Sequence, residues 1–217
     1  MIKVFLNGSK GRMGQLIEKN IALYQDMQIV GRKDSDVFEK KEAFDILIDF
    51  SLPQGAKEAY QITKQNKAAF LCGTTNLPQE FIEVLKQEKD IPVFYSANVS
   101  IGVYLFGQLL KEAVQKYQGY NFALHEEHHA QKKDAPSGTA KALASLINFP
   151  QEKITYERKG QVPGTHSLKI TSEVGDEEVF LEHKALDRNL FAASAVKVAR
   201  WLVQQKGGFY TMENFVK

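Results

Sequence analysis

A single cysteine, Cys72, stands among the 217 residues. That excludes an internal disulfide and any zinc site built from several thiolates. Neither sign of charge is in surplus: 28 Lys and Arg face 26 Asp and Glu, a formal net charge of +2. No strongly basic surface for nucleic acid or anionic membranes is therefore expected. No apolar run approaches the ~18 residues that span a membrane. The opening MIKVFLNG has too short an apolar stretch for a secretory leader, so none is expected. With one thiol and no leader, the expected compartment is the reducing cytoplasm. Disorder is excluded as well, because 43% hydrophobic residues supply enough apolar surface to offset chain entropy. The length suits one large domain or two small ones.

The first hundred residues alternate short apolar runs with helical patterns. Strands are expected at 2–6, 27–30, 45–50, 68–72 and 91–95. Helical spacing covers 13–24, the stretch after Pro53, and 78–89. Strands rich in Val, Ile and Phe separated by helices indicate a parallel sheet covered on both faces. A long helix is expected over 102–117. The pattern then changes to strands at 120–125, 155–159, 167–174 and 178–185, with helices at 137–147 and 188–205. Val174-Gly175-Asp176 reads as a hairpin turn. The fold class is α/β: a Rossmann-like, parallel-sheet dinucleotide-binding domain, with a second α+β domain for substrate and oligomerisation. The boundaries are 1–99 plus 188–217 for the first domain and 100–187 for the second. Hinges near Asn98–Gly102 and Leu186–Asn189 would let the two domains close on a ligand.

After the first strand comes Gly8-Ser9-Lys10-Gly11-Arg12-Met13-Gly14, a GxxGxxG variant of the dinucleotide fingerprint. A strand before it and a helix after it are what a pyrophosphate site at a helix N-terminus requires. An NAD site usually ends its second strand with an acid. Here Arg32 and Lys33 stand instead, which suits the 2′-phosphate of NADPH. Asp34 follows directly and suits NAD if the strand ends two residues later. Two further loops follow strands, where open α/β sheets bind ligands: Cys72-Gly73-Thr74-Thr75 and Ser96-Ala97-Asn98-Val99-Ser100. Cys72 reads as packing rather than as a nucleophile.

The densest chemistry lies in Glu126-Glu127-His128-His129-Ala130-Gln131-Lys132-Lys133-Asp134-Ala135-Pro136-Ser137-Gly138-Thr139-Ala140. Imidazoles and ammonium groups together supply proton donors and anion partners. Ser137 or Thr139 suits a helix cap, and the Gly138 and Thr139 amides sit at the positive helix end, a carboxylate or phosphate site. Lys132 and His129 suit a second anionic group. A metal set drawn from His125, His128 and His129 with Glu126 and Glu127 is disfavoured: in an extended segment His125 and His128 point to opposite faces, and the spacing differs from HExxH. No metal is expected.

That long segment resembles the signature of the dihydrodipicolinate reductase (4-hydroxy-tetrahydrodipicolinate reductase) family. The glycine loop, Asp49-Phe50-Ser51, Gly73-Thr74-Thr75, Ala97-Asn98-Val99-Ser100, Gly164-Thr165-His166 and the helix over 191–202 fall in matching order. The resemblance spans essentially the whole chain. It implies reduction of 4-hydroxy-tetrahydrodipicolinate to tetrahydrodipicolinate with loss of water, in diaminopimelate and lysine biosynthesis. It implies hydride from NADPH or NADH and a small cyclic dicarboxylate as substrate; the preference expected for NADPH, with NADH second, comes from Arg32 and Lys33. By position, His128 resembles the general acid and Lys132 a second proton donor that also binds substrate. Thr75, His129, Ser137, Gly138 and Thr139 resemble the substrate contacts. Gly8, Ser9, Lys10, Gly11, Arg12, Met13, Gly73, Thr74, Thr75, Ser96, Ala97, Asn98 and Val99 resemble the cofactor contacts, to which Arg32 and Lys33 are added. The family often carries an acid near position 32, where this chain has Arg32. A homotetramer is implied, consistent with the open sheet edges expected in the second domain. Two rivals remain: a reductase of another amino-acid-derived substrate, and a sensor that binds cofactor without turnover.

Overall fold

The structure is a computed structural model and describes residues 1–40 and 42–217. The first hundred residues form β1 (Ile2–Asn7), α1 (Arg12–Ile21), β2 (Met27–Lys33), β3 (Phe38–Lys40), β4 (Ile46–Asp49), α2 (Pro53–Asn66), β5 (Ala69–Cys72), α3 (Gln79–Lys86) and β6 (Pro92–Tyr95). Next come α4 (Ile101–Lys116), β7 (Asn121–His128), α5 (Gly138–Leu146), β8 (Thr155–Arg158), β9 (Gly164–Thr171) and β10 (Glu178–Ala185). The chain ends with α6 (Asn189–Leu202), β11 (Gly208–Tyr210) and α7 (Met212–Val216). Two compact units result: Met1–Ser100 with Asn189–Lys217, and Ile101–Arg188.

The first unit holds a seven-stranded sheet in the order β11-β6-β5-β4-β1-β2-β3. Every neighbouring pair is parallel except β2 with β3. Phe5, Leu47, Phe70 and Val93 pack under Ala59 and Tyr60 of α2 and Phe81 and Leu85 of α3. The alternate residues Val4, Leu6, Ile46, Ile48, Leu71 and Phe94 are also fully buried. On that other face α6 lies over β5 and β6 and packs against α1. Burial on both faces is why these strands read as continuous apolar runs. The order reverses about β1, where such sheets bind ligands at their carboxyl ends.

The second unit holds a four-stranded sheet, β10-β9-β7-β8, with α4 and α5 on one face. Phe106 and Leu110 of α4 and Leu143 and Ala144 of α5 close over Leu124, Leu168 and Ile170. The opposite face and the β10 edge carry no further strand among the described residues; Phe180 on β10 is 60% exposed.

Three differences from the sequence reading have local causes. β7 runs to His128 rather than stopping at His125, because Asn121–Glu127 pairs with β9 and His125–His128 with β8. β9 spans Gly164–Thr171, and Val174 lies in the turn, where the Ser172 amide donates to the Glu177 carbonyl at 3.1 Å and the Ser172 hydroxyl donates to Asp176 Oδ1 at 2.6 Å. α1 stops at Ile21 instead of Tyr24.

Candidate active site

In the first unit, strand register aligns Lys33, Asn7, Asp49 and Cys72 in one row at the carboxyl ends of β2, β1, β4 and β5. The loops singled out from the sequence leave from that row. Gly8 takes φ +78°, and a Cβ there would stand 2.3 Å from the Phe50 carbonyl oxygen, so only glycine makes this turn. Gly11 is the N-cap of α1, and no side chain caps the helix. The first-turn amides of Arg12 and Met13 thus form a donor cradle suited to a pyrophosphate, with the helix dipole behind it. Gly8 and Ser9 donate their amides to the Lys33 carbonyl at 2.9 and 3.3 Å, which ties the glycine loop to the end of β2.

Asp49 is fully buried, with no cation against it among the described residues. Its carboxylate accepts from Asn7 Nδ2 at 2.6 Å, Ser51 Oγ at 2.6 Å, Thr74 Oγ1 at 2.7 Å and Cys72 Sγ at 3.3 Å. Burial pushes its carboxyl up, against the pull of those donors. Burial likewise raises the Cys72 thiol well above its ordinary value, which keeps it protonated. The Thr74 hydroxyl also accepts the Ser51 amide at 2.9 Å. One carboxylate therefore fixes the loops after β1, β4 and β5. The side chains of Ser9, Thr74 and Val99 are buried, whereas Lys10, Arg12, Thr75 and Ala97 are exposed. Ser96 Oγ donates to the Asn98 carbonyl at 2.7 Å and shapes the loop after β6. Arg32 and Lys33 are both engaged: Arg32 pairs with Glu18 of α1, and Lys33 with Glu58 of α2 at 2.9 Å. Asp34 accepts the Lys10 amide at 2.8 Å.

In the second unit, the helix-covered sheet face is apolar at one end and polar at the other. Leu124 and Leu168 face each other across β7 and β9; two residues on, Glu126 faces His166. Glu126 and His128 share this face by the two-residue period of a strand. Glu126 is fully buried, His166 nearly so, and His128 is 7% exposed. Glu126 Oε1 accepts from Arg158 Nη2 at 2.7 Å and from the Ser137 amide at 2.9 Å. Its Oε2 lies 3.3 Å from His128 Nδ1 and 3.7 Å from His166 Nε2. Burial alone would raise the Glu126 carboxyl, but the bonds from His128, Ser137 and Arg158 outweigh it and hold the group well below the usual carboxylate range. Burial, and next the neighbouring His128, push the His166 imidazole down to about 4.

Ser137 caps α5, accepting the Ala140 amide at 3.1 Å on its hydroxyl. Gly138 is exposed, and a Cβ there would meet nothing within 4 Å. The helix end thus offers donors to an anion without a side chain in the way. Lys132 lies in the loop that joins β7 to α5 and pairs with Asp134 at 2.7 Å. His129 Nε2 is 3.3 Å from Arg188. His125 faces away, bonded to Thr155 at 2.9 Å.

Glu126, His128 and His166 place ligand-type atoms within 4.8 Å of one another. The Arg158 guanidinium already balances the carboxylate, and Lys132 adds a second positive charge, so a dication there would meet repulsion. The arrangement suits proton transfer beside an anion-binding helix end. Arg158, His166 and Arg188 were not assigned site roles from the sequence, nor was Glu126. The strand expected from the sequence stops at 125, short of Glu126 and His128, and Arg158 carries no local signal.

The family model described as the dihydrodipicolinate reductase N-terminus matches residues 2–99, and that of its C-terminus residues 102–216. A 4-hydroxy-tetrahydrodipicolinate reductase from Caldanaerobacter subterraneus subsp. tengcongensis is 32% identical over 248 aligned positions, covering 100% of this chain and 99% of the relative. One from Bdellovibrio bacteriovorus is 38% identical, covering 98% of this chain and 95% of the relative. The dipicolinate-bound dihydrodipicolinate reductase from Paenisporosarcina sp. TG-14 superposes with a TM-score of 0.79 at 20% identity over 99% of both chains, so the fold is shared. With both halves matched and full-length relatives above 30% identity, the chain belongs to the dihydrodipicolinate reductase family of oxidoreductases.

Proposed function

We propose that this chain reduces 4-hydroxy-tetrahydrodipicolinate with NAD(P)H, giving tetrahydrodipicolinate, the oxidised nicotinamide nucleotide and water, a step of diaminopimelate and lysine biosynthesis. The observation that carries the reading is the buried Glu126–His128–His166 row beside the open N-terminus of α5 and the Lys132 loop. A ring dicarboxylate needs two anion partners and a proton donor. Ser137, Gly138 and Thr139 at the helix end bind one carboxylate; Lys132, His129 and Thr75 contribute to the rest of the ring. His128 donates the proton that departing water or the reduced ring requires, and Lys132 is the second donor. When bound, the reduced nicotinamide supplies hydride. The loop of Gly8, Ser9, Lys10, Gly11, Arg12 and Met13 holds its pyrophosphate: the amides of the first four shape the turn through bonds within the protein, and the Arg12 and Met13 amides at the start of α1 face the phosphates. Gly73, Thr74 and Thr75 and Ser96, Ala97, Asn98 and Val99 line the ribose and amide, with Ser9, Thr74 and Val99 acting through their backbone.

NADPH is the preferred cofactor, because Arg32 and Lys33 stand at the end of β2 where a 2′-phosphate would lie; their carboxylate partners must yield to it. The assembly is a homotetramer, supported by the open β10 edge and the exposed Phe180. The compartment is the cytoplasm, where reduced nicotinamide is supplied; no helix among the described residues is long and apolar enough to cross a membrane.

The test follows NADPH and NADH oxidation by purified protein with substrate supplied by its synthase. Turnover with this substrate and none with other amino-acid-derived imines is expected. Cofactor binding without turnover would make the chain a sensor. Light scattering that returns a monomer mass would remove the tetramer.

A further inference from the structure

Glu126 has two oxygens and they serve different partners. Oε1 is saturated by the Arg158 guanidinium and the Ser137 amide. Oε2 and His128 Nδ1 are both buried, neither completes a well-aligned hydrogen bond, and they lie 3.3 Å apart, with His166 Nε2 farther from Oε2 at 3.7 Å. Of the two imidazole nitrogens near Oε2, His128 Nδ1 is the nearer and is itself unsatisfied, so a small turn of the ring pairs the two orphans. A carboxylate only accepts, so the proton belongs on His128 Nδ1. The ring's other nitrogen, Nε2, lies over Gly164: a Cβ there would come within 2.9 Å of it. Glycine on β9 therefore admits the ring in the orientation that Glu126 requires.

We propose that Glu126 is a positioning residue that holds His128 as the Nδ1–H tautomer, reserving Nε2 for proton transfer, while the same carboxylate anchors Ser137 and the first turn of α5. One side chain thus sets both the donor and the anion-binding helix end. The groups facing His128 and Glu126 are Arg158 from β8, His166 from β9 with His183 beside it on β10, and Lys132 with Asp134 from the loop. Among them only Glu126 offers an acceptor to His128 Nδ1. The proposal rests on His128 as the proton donor, and its test separates the two readings.

The experiment is long-range proton–nitrogen NMR on the full chain with labelled histidine, the His128 signals assigned by their loss in His128→Gln. Wild-type protein should show neutral His128 as Nδ1–H; Glu126→Gln should lose that preference. In steady-state assays Glu126→Gln should lower kcat on the order of 10²-fold, with KM for NADPH within about twofold. Glu126→Asp keeps the charge and should recover part of kcat, and it serves as the folded variant if Glu126→Gln misfolds. An Nε2–H tautomer in the wild type, or an Nδ1–H tautomer that survives Glu126→Gln, overturns the proposal. A near-normal kcat in His128→Gln would instead overturn the donor reading and leave the tautomer result standing.

Discussion

Arg32, the penultimate residue of β2, is ion-paired with Glu18 of α1, and both side chains are partly solvent-accessible. Exposed pairs contribute only ~0–1 kcal/mol, so a phosphate can displace the carboxylate. A charge-assisted contact to the 2′-phosphate is worth more, ~1.5–3 kcal/mol before screening. Arg32→Ala should therefore lower the NADPH to NADH ratio of kcat/KM on the order of tenfold. Glu18→Gln, which frees the guanidinium, should raise NADPH affinity roughly two- to fivefold and leave NADH affinity unchanged. Calorimetric titration of both cofactors checks this. If Glu18→Gln shifts the two cofactors equally, Arg32 does not read the 2′ position.

Asp49 predicts a stability effect in the first unit. Its four donors come from β1, the loop after β4, and β5 with its following loop. Asp49→Ala strands them, and a buried donor left unpaired costs ~1–3 kcal/mol. Partial rehydration at the loops reduces the sum, so a loss of about 2–4 kcal/mol is expected in urea unfolding. Because the glycine loop and Gly73–Thr75 share this anchor, cofactor affinity should fall as well. An unchanged unfolding midpoint would mean that the loops hold themselves.

The sheet of the first unit was legible because buried parallel strands are apolar on both sides, and DILIDF or AAFLC fits little else. β3 and β11, three residues each, are too short to show a period, and tertiary pairing alone creates them. In the second unit the histidines drew attention to a loop, yet Glu126 and His128 are strand residues made by pairing with β8 and β9. His166 lies thirty-eight positions from His128 in sequence, and only register brings the two rings to 5.3 Å. Charge partners such as Glu18 for Arg32 are equally invisible to local pattern, because any nearby acid would read the same.

His166 carries a pH-dependent stability. Its folded imidazole is pushed down to about 4 from an ordinary 6.5, chiefly by burial. Between those values the unfolded chain binds a proton that the folded chain refuses. Stability is therefore complete above pH 6.5 and declines as pH falls toward 4, by roughly 3 kcal/mol over the whole window. His183, also lowered by burial, adds in the same sense. Glu126 acts further down: its depressed carboxyl stabilises above its ordinary value of 4.5 and loses that as pH drops below it. Urea unfolding at pH 7, 6 and 5 should show the decline, and His166→Gln should flatten most of it. An equal slope in the variant would assign the pH dependence elsewhere.

His128 and Lys132 differ in what surrounds them, and that difference predicts different kinetics. His128 is nearly buried on β7, with one ring nitrogen facing Glu126 and no carboxylate free to exchange with it. Lys132 sits in the following loop, its ammonium 2.7 Å from Asp134 and partly open to solvent. A substrate carboxylate can take the Lys132 ammonium from Asp134 and so adds ground-state binding, whereas the substrate atom that meets His128 accepts a proton chiefly in the transition state. His128→Gln should thus lower kcat by ~10²–10⁴-fold, the usual worth of general acid catalysis, with little change in KM for NADPH. Lys132→Ala should lower kcat and also raise the substrate KM, because it removes a charge partner and a proton source together. Neither change should unfold the protein, since loop and site side chains contribute little to the apolar core. Steady-state kinetics with both variants decide it. If Lys132→Ala raises only KM, Lys132 is a binding residue alone and His128 carries the proton transfer by itself.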